Sequence, residues 1–234
     1  MAIKLGIHYE LFNIDKKNTI IFLHGWGSNK EVMKVFKDYF NDYKLLFIDM
    51  PGFGKSETNE IWTTQKYANY LDEFLKELNI EKFCIIGHSF GGKVATLLNP
   101  KYLILLSSAG IPQKKSLQTQ FKIKLFKLLK PFGGNKIKKL FISDDAKEMN
   151  ENMYQTFKNV VEEDFSEKFN NFQGKSLVFG GDKDTAVIPQ SNKKISKLLK
   201  SNLIMLNGDH YFFLNKQNQN KITNKIYQLI NKSN

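Results

Sequence analysis

Arginine is absent from this 234-residue chain: all 35 basic residues are lysine. No planar guanidinium fork is therefore available for bidentate grip of a carboxylate or phosphate. Cysteine is reduced to Cys84, inside an apolar run, which excludes an intramolecular disulfide and points to an inert core thiol. No apolar stretch approaches the ~20 residues of a membrane-crossing helix. The first dozen residues alternate (Ile3, Leu5, Ile7, Tyr9, Leu11) and lack the continuous apolar segment of a signal peptide, so a cytoplasmic protein is expected. No set of histidine, cysteine or carboxylate has metal-ligand spacing, and neither a metal nor another cofactor is expected. No G-x-G-x-x-G follows an apolar strand, so a dinucleotide fingerprint is missing. Gly54-Lys55-Ser56 is not a phosphate loop, because Asp49 stands where that motif requires glycine.

Aromatic residues, by contrast, are plentiful. With 20 Phe and 9 Tyr the chain can build a substantial core, and its length suits one domain. Charge is unevenly placed. Between Lys82 and Ser143 lie 12 lysines and no acid, which equals the whole net charge of +12. A solvated surface accounts for this block most simply. Its functional readings are steering toward an acidic partner, such as an acyl group on an acidic carrier protein, or contact of the amphipathic Ser116–Lys130 stretch with an anionic membrane surface. Nucleic acid is not expected as a partner, since charge without a recognition motif is non-specific.

Apolar runs alternate with helical periodicity. Strands are expected at Ile3–Phe12, Thr19–Leu23, Lys44–Asp49, Phe83–Gly87, Tyr102–Ser107, Ser176–Gly180 and Asn202–Leu206. Helices are expected at Lys30–Phe40, Thr63–Leu78, Phe90–Leu98, Gln190–Leu199 and Asn218–Ile230, with Thr63 or Thr64 as an N-cap. Such alternation implies an α/β fold, a mostly parallel sheet with helices on both faces and ligands at the carboxyl ends of its strands. From Ile111 to about Asn171 the strands stop. Leu117, Phe121, Leu125, Leu128 and Leu129 recur at helical spacing, as do Met153, Phe157, Val160 and Val161. Residues 111–171 therefore read as a helical lid inserted into a core of residues 1–110 and 172–234.

Gly87-His88-Ser89-Phe90-Gly91 sits between one expected strand and one expected helix. That context makes G-x-S-x-G a nucleophile elbow, a turn so tight that the serine hydroxyl stands clear of the sheet. A serine hydroxyl needs a base, and the base needs an orienting carboxylate. Of His8, His24, His88 and His210, only His210 lies downstream of Ser89, following the last strand. His24 and His88 are expected to hold loops by hydrogen bonds, and His8 has no evident partner. Asp182 and Asp184 both follow the strand Leu177–Phe179, and the local pattern leaves the choice between them open. The oxyanion needs two backbone N–H groups, one of which is Phe90, next to the nucleophile.

Taken together, these segments resemble the α/β-hydrolase superfamily from His24 to His210. His24-Gly25-Trp26-Gly27 is similar to the family's oxyanion loop, Asp49-Met50-Pro51-Gly52-Phe53-Gly54-Lys55-Ser56 to its D-x-P-G-x-G-x-S turn, and Gly208-Asp209-His210 to its histidine loop. The resemblance selects Asp184 through Gly181-x-x-Asp184 with Pro189 following, and assigns the second oxyanion N–H to Trp26, whose indole would border the acyl pocket. It implies a serine hydrolase acting on a small-molecule ester through an acyl-enzyme. Alternatives are an esterase for pimeloyl-type methyl esters on a carrier protein, to which the His24–Asn29 loop is similar, and a slow-turnover ligand-sensing receptor on the same fold. Two departures stand out. Leu97–Lys101 joins the elbow helix almost directly to the next strand, and the N-terminus leaves room for one strand fewer than the family has.

Overall fold

The structure, a computed structural model, describes residues 2–112 and 151–231. Eight strands form one sheet in the order β1-β2-β4-β3-β5-β6-β7-β8. They are β1 (Ala2–Lys4), β2 (Ile7–Phe12), β3 (Thr19–Leu23), β4 (Lys44–Ile48), β5 (Cys84–His88), β6 (Tyr102–Leu106), β7 (Lys175–Gly181) and β8 (Asn202–Leu206). β1 and β2 form an antiparallel hairpin, β2 is antiparallel to β4, and all other pairs are parallel. The sheet thus reaches eight strands because Ile3–Phe12 is two strands rather than one. Leu5 (φ 50°) and Gly6 (φ 69°) turn the chain back so that Lys4 faces Ile7. Positive φ at both central residues is the type I′ signature, whose twist matches the hairpin's.

Side chains alternate between two apolar layers. One face carries Ile21, Leu46, Ile85, Leu103 and Val178 against α1 (Thr64–Glu77) and α2 (Phe90–Leu98). The other carries Phe22, Phe47, Ile86, Ile104 and Phe179 against the Lys30–Tyr39 helix and α6 (Lys216–Asn231). α1 starts where Thr63 Oγ1 accepts the Lys66 N–H, and it buries Tyr67, Leu71, Phe74 and Leu75 along one stripe. It ends where Asn79 turns left-handed (φ 52°) and the Ile80 N–H returns to the Leu75 carbonyl. The Lys30–Tyr39 segment is helical as expected, but wound as a 3₁₀ helix. Its buried residues Lys30, Met33 and Phe36 recur every three positions, the period of that winding.

Part of the expected lid is described. α3 (Glu151–Val161) and α4 (Ser166–Asn170) are helical and return the chain to β7, whereas residues 113–150, including the Leu117–Leu129 stretch and nine of the block lysines, lie outside the described residues. α5 (Pro189–Leu198) packs against β7. No helix among the described residues is long and apolar enough to cross a membrane.

A buried ammonium fastens α3 to the elbow helix. Lys93 is 1% exposed, and its Nζ donates to the Val160 carbonyl (2.5 Å) and to Glu163 Oε2 (2.6 Å), which also accepts a hydrogen bond from Thr64 Oγ1. Burial lowers the Lys93 pKa, and Glu163 opposes that shift. Removing one partner of such a pair costs more than replacing both, because the survivor is left without its counter-charge. Lys93→Ala is therefore expected to destabilise the fold by about 3 kcal/mol, read as a lower midpoint in chemical denaturation. Lys93→Met, which refills the volume beside Phe165, is expected to lose less than Lys93→Ala. Equal losses in the two variants would show that the missing charge dominates and the refilled volume counts for little.

Candidate active site

Ser89 follows β5 with φ 49° and ψ −115°, a positive-φ conformation that a non-glycine residue adopts only under constraint, at a cost of about 1–3 kcal/mol. The constraint is visible on both sides. The Ser89 N–H donates to the Leu106 carbonyl (3.1 Å), and its own carbonyl accepts from Gly92 N (3.0 Å) and Ala109 N (3.1 Å). Neither glycine of the pentapeptide tolerates a side chain. A Cβ on Gly87 would stand 2.5 Å from the Gly91 carbonyl oxygen, and one on Gly91 2.5 Å from the Leu23 and His24 oxygens. The half-buried Ser89 side chain is thereby carried to the carboxyl edge of the sheet.

His24-Gly25-Trp26 lies beside it. A Cβ on Gly25 would sit 3.2 Å from Ser89 Cβ and 2.9 Å from His88 Nδ1, so the loop passes directly over the elbow. His24 Nδ1–H donates to the Gly25 carbonyl (2.8 Å), and its Nε2 accepts the Met50 N–H (3.1 Å). Burial pushes the His24 pKa down to about 4, so this imidazole is neutral at neutral pH and works as a strut. The strut reaches the Asp49–Ser56 turn. There Asp49, 1% exposed, accepts from Lys30 N (2.8 Å), Lys30 Nζ (2.9 Å) and Lys55 N (3.2 Å), while Ser56 Oγ donates to the Asp49 carbonyl (2.7 Å) and accepts from His8 N (2.8 Å). The motif around Asp49 is thus a scaffold for the loop that carries Trp26.

The Trp26 backbone N–H belongs to the loop this scaffold holds, and that of Phe90 to the start of α2, whose first amides have no intrahelical partner. Their side chains pack together, with ring centroids 5.4 Å apart. Phe53 (4.9 Å) and Phe157 of α3 (5.3 Å) complete an aromatic wall around the Trp26 indole.

Asp184 and His210 lie on the neighbouring loops. His210 Nδ1 and Asp184 Oδ2 are 2.8 Å apart, and Asp184 Oδ1 accepts from Ala186 N and Val187 N, both at 2.8 Å. The Asp184 side chain is fully buried. Burial alone would raise its pKa, but the bonds from His210 and the Val187 amide outweigh that penalty and hold it below the usual carboxylate value. Asp182 serves elsewhere. Its exposed Oδ1 accepts the Gly208 N–H (2.9 Å), clamping its own loop to that of His210. Asp209 caps its own turn at Tyr211 N. His88, fully buried, is paired through Nε2 with the His210 carbonyl (3.1 Å), and burial, followed by the neighbouring His210, drops its pKa to about 3. A neutral His88 therefore donates to the His210 backbone and helps hold that residue in place. No hydrogen bond joins Ser89 Oγ to His210 Nε2 in this structure, an open geometry common before substrate binds. Among the described residues, no group of three His, Cys, Asp or Glu could hold a metal ion.

Two features escaped the sequence reading. Lys30 and Lys93 count as surface charge in any composition, yet both are buried. Ser107, just past β6, is also fully buried and left-handed (φ 43°), and its only sequence signal was its place as the last residue of the expected strand Tyr102–Ser107.

A family model described as alpha/beta hydrolase fold matches residues 18–114. Among curated relatives, an uncharacterized hydrolase, YugF, of Bacillus subtilis is 28% identical over 118 residues, which are 45% of this chain and 42% of that protein. The 2-succinyl-6-hydroxy-2,4-cyclohexadiene-1-carboxylate synthase of Escherichia coli is 32% identical over 78 residues, 33% of this chain and 31% of that protein. The chain thus matches less than half the length of these relatives. Solved structures cover nearly all of it. An esterase from Exiguobacterium antarcticum superposes with a TM-score of 0.73 at 19% identity, covering 95% of this chain and 94% of its own. The enol-lactonase from Burkholderia xenovorans reaches 0.74 at 15% identity, covering 96% of each chain. At those identities the likeness is one of fold.

Proposed function

We propose that this chain, a member of the α/β-hydrolase superfamily, is a serine hydrolase that cleaves a carboxylic ester through an acyl-enzyme. The observation that carries the reading is the 2.8 Å Asp184–His210 pair, set at the same sheet edge as a strained, half-buried Ser89. Ser89 Oγ attacks the ester carbonyl while His210 Nε2 takes its proton, and Asp184 supports the resulting imidazolium. The oxyanion is held by the Trp26 and Phe90 N–H groups. Collapse expels the alcohol, which takes the proton from His210. Water then enters, loses a proton to His210 and releases the carboxylic acid, restoring Ser89. The aromatic wall of Trp26, Phe53, Phe90 and Phe157 favours an apolar acyl group.

Fluorophosphonate labelling followed by peptide mapping tests the reading, together with a series of p-nitrophenyl esters of increasing acyl length. One label per chain on Ser89 and turnover of at least one ester are expected. A chain that takes up no label and hydrolyses none of the series would falsify the proposal. Stoichiometric release of alcohol without further turnover would instead favour the ligand-sensing reading.

A further inference from the structure

Ser107 occupies a turn that touches both the elbow and the strand leading to Asp184. On one side of it, the Leu106 carbonyl accepts the Ser89 N–H and the Ala109 N–H donates to the Ser89 carbonyl, both at 3.1 Å. On the other, Ser107 N donates to the Phe179 carbonyl (2.8 Å) in β7, five residues before Asp184. The backbone here is left-handed (φ 43°), which costs a serine of the order of 1–3 kcal/mol. The residue is fully buried, and its Oγ closes no hydrogen bond. A buried hydroxyl without a partner is itself costly, by about 1–3 kcal/mol. Strain and an idle donor at one residue call for a physical reason, and the nearest is Asp184. Its carboxylate offers about four acceptor sites. Three are filled, by Ala186 N, Val187 N and His210 Nδ1. The Ser107 hydroxyl faces the same carboxylate and favours its charged form, though short of bonding geometry.

We propose that Ser107 is a positioning residue for the acid–base pair, its hydroxyl rotating to donate to the Asp184 carboxylate as His210 takes up the serine proton. That fourth donor fixes the rotation of the carboxylate and keeps Asp184 ionised while its neighbour carries the charge. The other groups around the pair cannot substitute. His88 is neutral and spends its Nε2–H on the His210 carbonyl, while Asp182 and Asp209 face the Gly208 and Tyr211 amides.

The kinetic half of this role rests on the esterase reading, whereas the contact with Asp184 can be read without turnover. Ser107→Gly is the variant of choice, because glycine adopts the left-handed backbone freely and the loss is confined to the hydroxymethyl group. It is expected to melt no lower than the native chain. Its kcat is expected to fall about tenfold with KM unchanged, as for loss of a hydrogen bond to a charged group. Ser107→Cys, which keeps a weak donor in similar volume, is expected to fall between the two. In ¹H NMR of the protein with His210 protonated, the low-field His210 Nδ1 proton is expected to move further downfield in Ser107→Gly, since Asp184 then has one donor fewer and accepts more strongly. An unmoved proton would overturn the proposal whatever kcat does, as would a kcat within twofold of native. If the native chain hydrolyses no ester and the proton still moves, the esterase reading fails and the Ser107–Asp184 contact stands.

Discussion

Ser89→Ala is expected to lower ester turnover by about 10⁴-fold or more and to abolish fluorophosphonate labelling. The effect is this large because alanine has no atom to form the acyl-enzyme, and the oxyanion hole alone is left to help water attack. The same substitution is expected to leave stability almost unchanged. Ser89 Oγ makes no hydrogen bond among the described residues, and alanine inherits the same strained backbone, so neither a bond nor the strain is altered. Ser89→Gly separates the two properties. It is equally inactive, but it relieves the positive-φ strain and is expected to be more stable than Ser89→Ala by about 1 kcal/mol. Residual labelling in either variant would place the nucleophile elsewhere. Melting temperature and label stoichiometry, measured on the same samples, check both halves.

Much of the candidate site was legible because its parts sit at punctuation points. The elbow is marked by two glycines whose absent side chains face backbone carbonyls, and that requirement is local enough to be written in five residues. Strand positions followed from continuous apolar runs such as Tyr102–Leu106, buried on both faces of the sheet. The hairpin at Leu5-Gly6 was hidden by its own regularity. Ile3, Leu5, Ile7 and Tyr9 keep a period of two straight through the turn, so the alternation that identifies a strand also concealed the reversal. Buried lysines were illegible for a different reason. Lys30 and Lys93 reach the core only because Asp49 and Glu163, distant in sequence, meet them there. Pattern within a segment carries no information on such pairs. The choice between Asp182 and Asp184 has the same character. Both follow β7 and the local pattern left them open; the resemblance pointed to Asp184, and the fold shows that Asp184 meets His210 while Asp182 meets Gly208.

That choice yields the second large effect. Asp184→Asn is expected to cost about 10²–10⁴-fold in kcat, and the surroundings of the carboxylate explain how. An amide has one accepting oxygen and one donating nitrogen. The Oδ1 position faces two N–H donors, from Ala186 and Val187, so the amide oxygen must sit there. The amide nitrogen is then forced into the Oδ2 position, 2.8 Å from His210 Nδ1. A donor facing Nδ1 makes that nitrogen an acceptor and moves the imidazole proton to Nε2, the nitrogen that must take the proton from Ser89. The base is thus present, in place, and in the wrong tautomer, and the support for its positive charge is lost as well. Asp182→Asn meets no such conflict. Its amide oxygen still accepts from Gly208 N, the side chain is exposed, and kcat is expected to stay within about twofold of native. Steady-state kinetics of the two variants, with melting curves to verify that both fold, decide the matter. A severe loss in Asp182→Asn with a mild one in Asp184→Asn would remove Asp184 from the acid role and with it the positioning role of Ser107.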